Sequence, residues 1–270
     1  MEKTVKNVSK SRVSSRTLRR MRERGELITM LTAYDFPTAK LIDESGIDVL
    51  LVGDSMGMVV QGHDTTLPVT MDQMIYHAEM VGRAVEHAMV VVDLPFPDGQ
   101  LSIEHSIRCG VRVLKETRCQ AVKLEGGSEQ ADRIAAMVTA GVPVMAHVGL
   151  RPQNIHVDGG YRLQRDTKKL VDDAKAAEAA GAFAVLIECV PAEAASTITA
   201  AVSVPTIGIG AGRDVSGQVL VTHDILGLTS GYTPKFTRNF APVGQMIRDA
   251  VTSYRDAVRE RSFPSDAESF

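Results

Sequence analysis

Short apolar, mostly β-branched or aliphatic runs recur along this chain, and each stops abruptly at a polar side chain. Val49-Leu50-Leu51-Val52 ends at Gly53-Asp54-Ser55, Val90-Val91-Val92 at Asp93, and Ala121-Val122-Lys123-Leu124 at Glu125. Val144-Met145-Ala146 ends at His147, and Val185-Leu186-Ile187 at Glu188. Runs of that length are the mark of strands covered on both faces, as in a parallel sheet wrapped by helices. Between them lie helix signals: Pro37 then Gly46, the capping box Thr70-Met71-Asp72-Gln73, and Ile103, Ile107, Val111 and Leu114 at helical spacing. Ser128 to Gly141, an Ala-rich stretch ending at Gly181, and residues 193–201 complete the interior set.

Adding strands at 27–32, 204–210 and 219–222 gives eight, alternating with helices, the count of a (β/α)8 TIM barrel. The expected domain is a single barrel over 1–270. It has a short capped helix from Ser14, a final helix near 242–260 with Met246, Ala250, Val251, Tyr254 and Val258 on one face, a flexible arm at 1–13 and a tail at 262–270. Only residues 211–218 separate strands seven and eight, too few for a full helix. A doubly wound sheet is the competing topology, but its glycine-rich phosphate turn should follow the first strand. That strand ends instead in Ala33-Tyr34-Asp35.

In a barrel core with 4% aromatics and no Trp among 270 residues, Val, Leu, Ile, Ala and Met must fill the space. No apolar run approaches the ~20 residues of a membrane span, which argues against a membrane protein. The net charge of −3 gives no reason to expect nucleic acid. Nine Lys or Arg crowd residues 1–24 against Glu2 and Glu23, a pattern shared with transit peptides and phosphate-binding arms. The capped helix there favours a solvated helix or a subunit contact, and the absence of a secretory signal favours the cytoplasm. Cys109, Cys119 and Cys189 lack paired spacing and read as reduced thiols rather than a disulfide or zinc site.

The carboxyl ends of barrel strands meet at one mouth. Asp35, Asp54, Asp93, Glu125, His147 and Glu188 would therefore converge although they lie far apart in sequence. Five carboxylates there repel unless a cation or protons offset the charge. A hard divalent ion is the natural answer, and an all-oxygen donor set favours Mg2+ over Zn2+. Lys123 shares a strand face with Glu125 and adds a second positive charge. Asp35 reads equally well as a helix N-cap, and His147 equally well as a core histidine. His63, in a glycine-flanked loop, is a stronger candidate than His77, His87 or His105, which read as helix positions. His156 and His223 stay open, and Gly208-Ile209-Gly210-Ala211-Gly212 reads as a tight strand exit rather than a phosphate loop.

The blocks Leu31-Thr32-Ala33-Tyr34-Asp35, Leu51-Val52-Gly53-Asp54-Ser55, Gln61 to Thr70 (QGHDTTLPVT) and Val122 to Gly127 (VKLEGG) resemble the ketopantoate hydroxymethyltransferase family. So do Ala146 to Leu150, Leu186 to Pro191, Gly208 to Gly212 and Pro234-Lys235-Phe236, in the same order. The resemblance runs from about residue 14 to the end. It implies a (β/α)8 barrel that uses Mg2+ and 5,10-methylenetetrahydrofolate as co-substrate. The implied reaction hydroxymethylates 3-methyl-2-oxobutanoate to ketopantoate, for pantothenate and coenzyme A synthesis, through a Mg-stabilised enolate. Carried over by motif, Asp54 and Asp93 resemble the metal ligands, with Glu125 as a further one. Ser55 and Lys123 resemble the anchors of the 2-oxo acid, beside Asp54 and Asp93, and Glu188 resembles the general base. The resemblance also implies a homodecamer.

Two stretches depart from the family pattern: Arg165, where a Gly is common, and 97–101 after the Leu94-Pro95-Phe96 turn. Both are expected to tune folate contact or substrate range while leaving the metal site intact. The rival enzyme is another Mg-dependent 2-oxo acid lyase or mutase on the same barrel. A non-catalytic descendant is a third reading, disfavoured because Asp54, Asp93, Lys123, Glu125 and Glu188 are all present.

Overall fold

The computed structural model describes residues 12–229, 231 and 233–270. The chain divides at Leu220 into two compact units. The first holds eight strands: β1 Ile28–Thr32, β2 Val49–Val52, β3 Met89–Asp93, β4 Ala121–Glu125, β5 Val144–Gly149, β6 Ala184–Glu188, β7 Thr206–Ile209 and β8 Gly217–Leu220. They are parallel and close in sequence order, β8 returning to β1. Around them run α1 Ser15–Glu23, α2 Phe36–Glu44, α3 Met56–Val59, α4 Met71–Ala84, α5 Ile103–Glu116, α6 Ala131–Thr139, α7 Ile155–Asp158, α8 Thr167–Ala179 and α9 Ala192–Ala201. The second unit carries α10 Thr222–Ile225 and α11 Val243–Arg259.

The two-residue period of the strands divides the core into two layers. Ile28, Met30, Val49, Leu51, Met89, Val91, Ala121, Met145, Ala184, Leu186, Ile207 and Val219 fill the barrel. Their neighbours Leu50, Val52, Val90, Val92, Val122, Leu124, Val144, Ala146, Val185 and Ile187 pack outward against the helices. Following the inward phase one or two steps further gives Asp93, Lys123, Glu125, His147 and Glu188. The period that builds the core thus aims these side chains at the mouth.

Residues 1–11 of the expected arm lie outside the described residues. In the described part of that stretch, Val13 is buried with Leu18 in the barrel interior, and its N–H donates to His87 O at 2.8 Å. Full burial of Leu18 contributes about 1.5–3 kcal/mol. The basic helix also has an inward task. The Arg22 guanidinium donates to the carbonyls of Thr199, Val202 and Val204 and to Ser216 Oγ, satisfying acceptors that the end of α9 leaves open.

Strand eight begins two residues earlier than expected and ends at Leu220; Thr222–Ile225, which contains His223 and Asp224, is a short helix. The displaced register has a steric cause. A Cβ at Gly217 would lie 2.3 Å from Ile28 O, so glycine lets β8 approach β1 and close the barrel. The connection from β7 is the loop 210–216, in keeping with its shortness. Within the second unit, α11 places Met246, Val251, Tyr254 and Val258 along the expected stripe, but all four are exposed.

Candidate active site

Parallel register puts the inward strand ends side by side. Asp93 pairs with Lys123 and Glu125 with His147; Glu188 sits opposite Gly149 on the next pair. Asp54 follows Gly53, where the chain turns out of β2. A Cβ on Gly53 would come 2.8 Å from Ser55 Oγ and 3.5 Å from Asp93 Oδ2, so the missing side chain keeps this space open. Asp54, Asp93, Lys123, Glu125 and His147 are all buried, and Glu188 is partly accessible.

The Asp54 N–H donates to Asp93 Oδ2 at 3.0 Å, and Lys123 Nζ lies 3.1 Å from Asp93 Oδ1. Lys123 Nζ is also 3.1 Å from His147 Nδ1. An ammonium has only donors, so Nδ1 must accept and the imidazole proton belongs on Nε2. That atom lies 3.3 Å from Glu188 Oε2 and has no aligned hydrogen-bond partner. His147 is thus a neutral ring wedged between the ammonium and the Glu188 carboxylate.

Three side chains not singled out from sequence complete the site. Gln153, buried in the loop after β5, donates from its backbone N–H to Glu125 Oε2 at 3.1 Å. Its Nε2 donates to Asp54 Oδ2 at 2.8 Å and to Leu94 O at 3.0 Å. Gln100 Nε2 in turn donates to Gln153 Oε1 at 2.7 Å. The departing 97–101 segment therefore touches the acid cluster through one intermediary. Tyr34, at the end of β1, shares a hydrogen bond with Ser55 Oγ at 2.8 Å. Tyr34 was legible as another polar strand end; Gln153 had no such signal, because the single helical turn Pro152–Asn154 that holds it is too short to show a period.

Other candidates go elsewhere. Asp35 Oδ1 accepts from Thr38 N at 2.8 Å, the N-cap of α2. His63 and His156 are exposed. His77 Nδ1 lies 2.6 Å from Tyr34 O, backing the site tyrosine from α4.

The electrostatics are unbalanced. Burial, then the neighbouring Asp93 charge, pushes the Asp54 carboxyl up to about 7. Burial and Asp54 hold Glu125 well above the usual carboxylate range, and burial lifts Glu188 to about 7 against the pull of Lys123. Burial and Lys123 keep His147 well below an ordinary imidazole. For Lys123, burial disfavours the ammonium, but Asp93, Glu125 and Asp54 outweigh it and raise its pKa. One lysine faces four carboxyl groups. Glu125 Oε1 is buried without a hydrogen-bond partner, and Asp93 Oδ1 has the Lys123 ammonium beside it but no aligned hydrogen bond, a costly state for such groups. A divalent cation held by Asp54, Asp93 and Glu125 would satisfy the open oxygen positions and the charge, and hard oxygen donors suit Mg2+.

A family profile described as ketopantoate hydroxymethyltransferase matches residues 12–266. The 3-methyl-2-oxobutanoate hydroxymethyltransferase of Rhodopirellula baltica is 80% identical over 261 residues, 97% of either chain. That of Desulforapulum autotrophicum is 51% identical, covering 94% of this chain and 97% of the relative. Among solved structures, a phosphonopyruvate hydrolase complexed with oxalate and Mg2+ superposes with a TM-score of 0.66 at 17% identity, covering 94% and 92% of the two chains. A 2,3-dimethylmalate lyase gives 0.60 at 17%, covering 95% and 91%; these two share the fold. The profile match spans every strand that delivers a residue to the mouth, and this chain belongs to the ketopantoate hydroxymethyltransferase family.

Proposed function

We propose that the chain transfers a hydroxymethyl group from 5,10-methylenetetrahydrofolate to 3-methyl-2-oxobutanoate, giving ketopantoate. The observation that carries this reading is the buried cluster of Asp54, Asp93 and Glu125 beside the Lys123–His147–Glu188 line, in a chain of this family. When bound by the three acids, Mg2+ supplies Lewis-acid polarisation of the 2-oxo acid. Lys123 and Ser55, the latter oriented by Tyr34, anchor the substrate carboxylate and carbonyl. Glu188 takes the proton from C3, and its raised pKa makes it a stronger base than an ordinary Glu at about 4.3. His147 packs its Nε2 3.3 Å from Glu188 Oε2 and limits where the base can move. The C3 carbanion attacks the folate methylene carbon; a C–C bond forms, both carbon–nitrogen bonds of the methylene bridge break, water supplies the hydroxyl oxygen, and the two folate nitrogens take up the proton from C3 and one from water. Lys123 stabilises negative charge that develops on the 2-oxo group.

The deciding experiment is product formation from 3-methyl-2-oxobutanoate, with Mg2+ and methylenetetrahydrofolate each supplied or omitted. Ketopantoate that requires both supports the reading; turnover of the 2-oxo acid with folate omitted favours the lyase or mutase alternative. The assembly is proposed to be a homodecamer, on the family resemblance and the exposed stripe of α11. No helix among the described residues is long and apolar enough to cross a membrane, and a cytoplasmic location is proposed with the pathway.

A further inference from the structure

Helix α5 carries a second group of ligand-type side chains apart from the acids of the mouth. His105 and Cys109 stand four residues apart, so they share one helix face. Asp98 reaches them from the loop after β3. Asp98 Oδ1 lies 2.6 Å from His105 Nε2, Cys109 Sγ is 3.5 Å from that same nitrogen, and Sγ to Oδ1 is 3.8 Å. All three ligand atoms fall within 4.8 Å of one another. Cys109 is buried, while the side chains of Asp98 and His105 are 18% and 38% exposed.

We propose that Asp98, His105 and Cys109 form a separate divalent-metal site, suited to Zn2+, that fastens the loop after β3 to helix α5.

The argument is one of convergence. A His–Asp pair that served only as a hydrogen-bonded pin would need no thiol aimed at the same nitrogen and the same oxygen. Zinc bonds of about 2.0–2.3 Å in tetrahedral geometry place their ligand atoms roughly 3.3–3.6 Å apart. Two edges of the triangle are already close to that range, and the third needs the Asp98–His105 hydrogen bond to open by about 0.7 Å on the same scale. The mixed donor set, one nitrogen, one sulfur and one oxygen, suits Zn2+ rather than Mg2+. Three protein ligands on a partly open site leave the fourth position to water. On binding, the Cys109 S–H bond is exchanged for a sulfur–metal bond and its proton passes to solvent; His105 Nε2 gives up the proton it shared with Asp98, and the neutral ring carries its one proton on Nδ1. Ser106 Oγ already donates to Asp98 O at 3.0 Å, so little of the loop would have to move. The same loop carries Gln100, whose amide reaches Gln153 of the acid cluster, and metal at this corner would steady that contact. Cys109 was read from sequence as a plain reduced thiol; only the fold brings Asp98 to it.

The test is a Co2+ titration of the full-length, metal-stripped chain, followed by absorption. One equivalent per chain should give a thiolate-to-cobalt charge-transfer band and the visible bands of a four-coordinate ion. Cys109→Ser and His105→Gln should each abolish the charge-transfer band, or weaken Co2+ binding at least tenfold. The double variant Asp54→Asn/Asp93→Asn should keep it. Zn2+ should also protect Cys109, located by mass spectrometry, from alkylation. His105 is partly exposed, so His105→Gln keeps the test valid even where Cys109→Ser lowers folding yield. Lack of a charge-transfer band in the wild-type chain, or its survival in both variants, overturns the proposal.

Discussion

Glu188 and Asp54 are both pushed up to about 7, but they should shape the pH profile through different steps. A base must be unprotonated to act, so the rate with Glu188 should fall as pH drops below about 7. Asp54 must ionise to hold a cation, so Mg2+ affinity should weaken over the same range. With the proposed roles, saturating Mg2+ should hold Asp54 ionised and suppress its limb; the limb that then remains should belong to the base. We expect Glu188→Gln to remove that remaining limb and lower kcat by about 10²–10⁴-fold. Deuterium exchange at C3 should vanish while Mg2+ binding, followed by calorimetry, is retained; normal exchange would take Glu188 out of the role. Gln153 calls for a different readout. It donates to both Glu125 and Asp54, so Gln153→Ala should weaken Mg2+ about 10–100-fold, the usual cost of losing a group that orients ligands. A Mg2+ titration of activity checks this, and an unchanged midpoint would leave Gln153 a packing residue. Asp93, Lys123, Glu125, His147 and Glu188 were legible because strand period aims them inward; Asp54 is out of phase with β2 and was legible only as the polar end of an apolar run. Gln153 and Gln100 were not, because a single helical turn and a connecting loop carry no period from which direction can be read.

At the scale of elements, the strands were legible where apolar runs were unbroken and failed where closure demanded glycine. β8 is the case in point: Gly217 is a poor strand former, yet only its missing side chain allows β8 to meet Ile28. Gly149 shows the same logic at the mouth. Its φ is +95°, a region other residues enter at a cost of about 1–3 kcal/mol, and a Cβ would lie 2.2 Å from Glu188 O. Gly149→Ala should therefore lower the unfolding free energy by at least that amount in urea titration and displace the end of β6 that holds Glu188. The amino end of the barrel has its own pin. The basic run looked from sequence like a solvated or partner-facing surface, but Arg22 gives its donors to the carbonyls that end α9 and to Val204 O. Burial lowers its pKa without removing the charge that makes these bonds strong. Arg22→Met keeps the length and removes the donors. It should cost about 1–3 kcal/mol, the price of leaving such acceptors unpaired, in the same urea experiment. An unchanged midpoint would mean that water replaces the guanidinium there.

For the whole molecule, the open question posed by the fold is what covers α11. The stripe Ile247, Val251, Tyr254 and Val258 follows the i, i+4, i+7, i+11 rule of an amphipathic helix, and Met246 flanks it. The hydrophobic face was legible in the sequence, but its burial was not, because periodicity tells which residues share a side and not what that side meets. Within this chain Gly244 is the one buried residue of the helix, while Met246, Ile247, Val251, Tyr254 and Val258 are 43–62% exposed. Contiguous apolar surface of this kind usually marks an interaction site. A second copy of the chain is the occupant expected here, since the family resemblance implies a symmetric homo-oligomer. Symmetry multiplies any change at such a face: one substitution enters every copy of the contact. Val251→Glu would bury a carboxylate at each interface, and an unpaired charge there costs several kcal/mol. The side chain is exposed in the single chain, so its effect on the fold should stay within about 0.5 kcal/mol. Sedimentation velocity should then show the wild-type assembly breaking into smaller species in Val251→Glu, with far-ultraviolet circular dichroism unchanged. An assembly of the same mass in both proteins would place the subunit contacts elsewhere and leave α11 facing solvent.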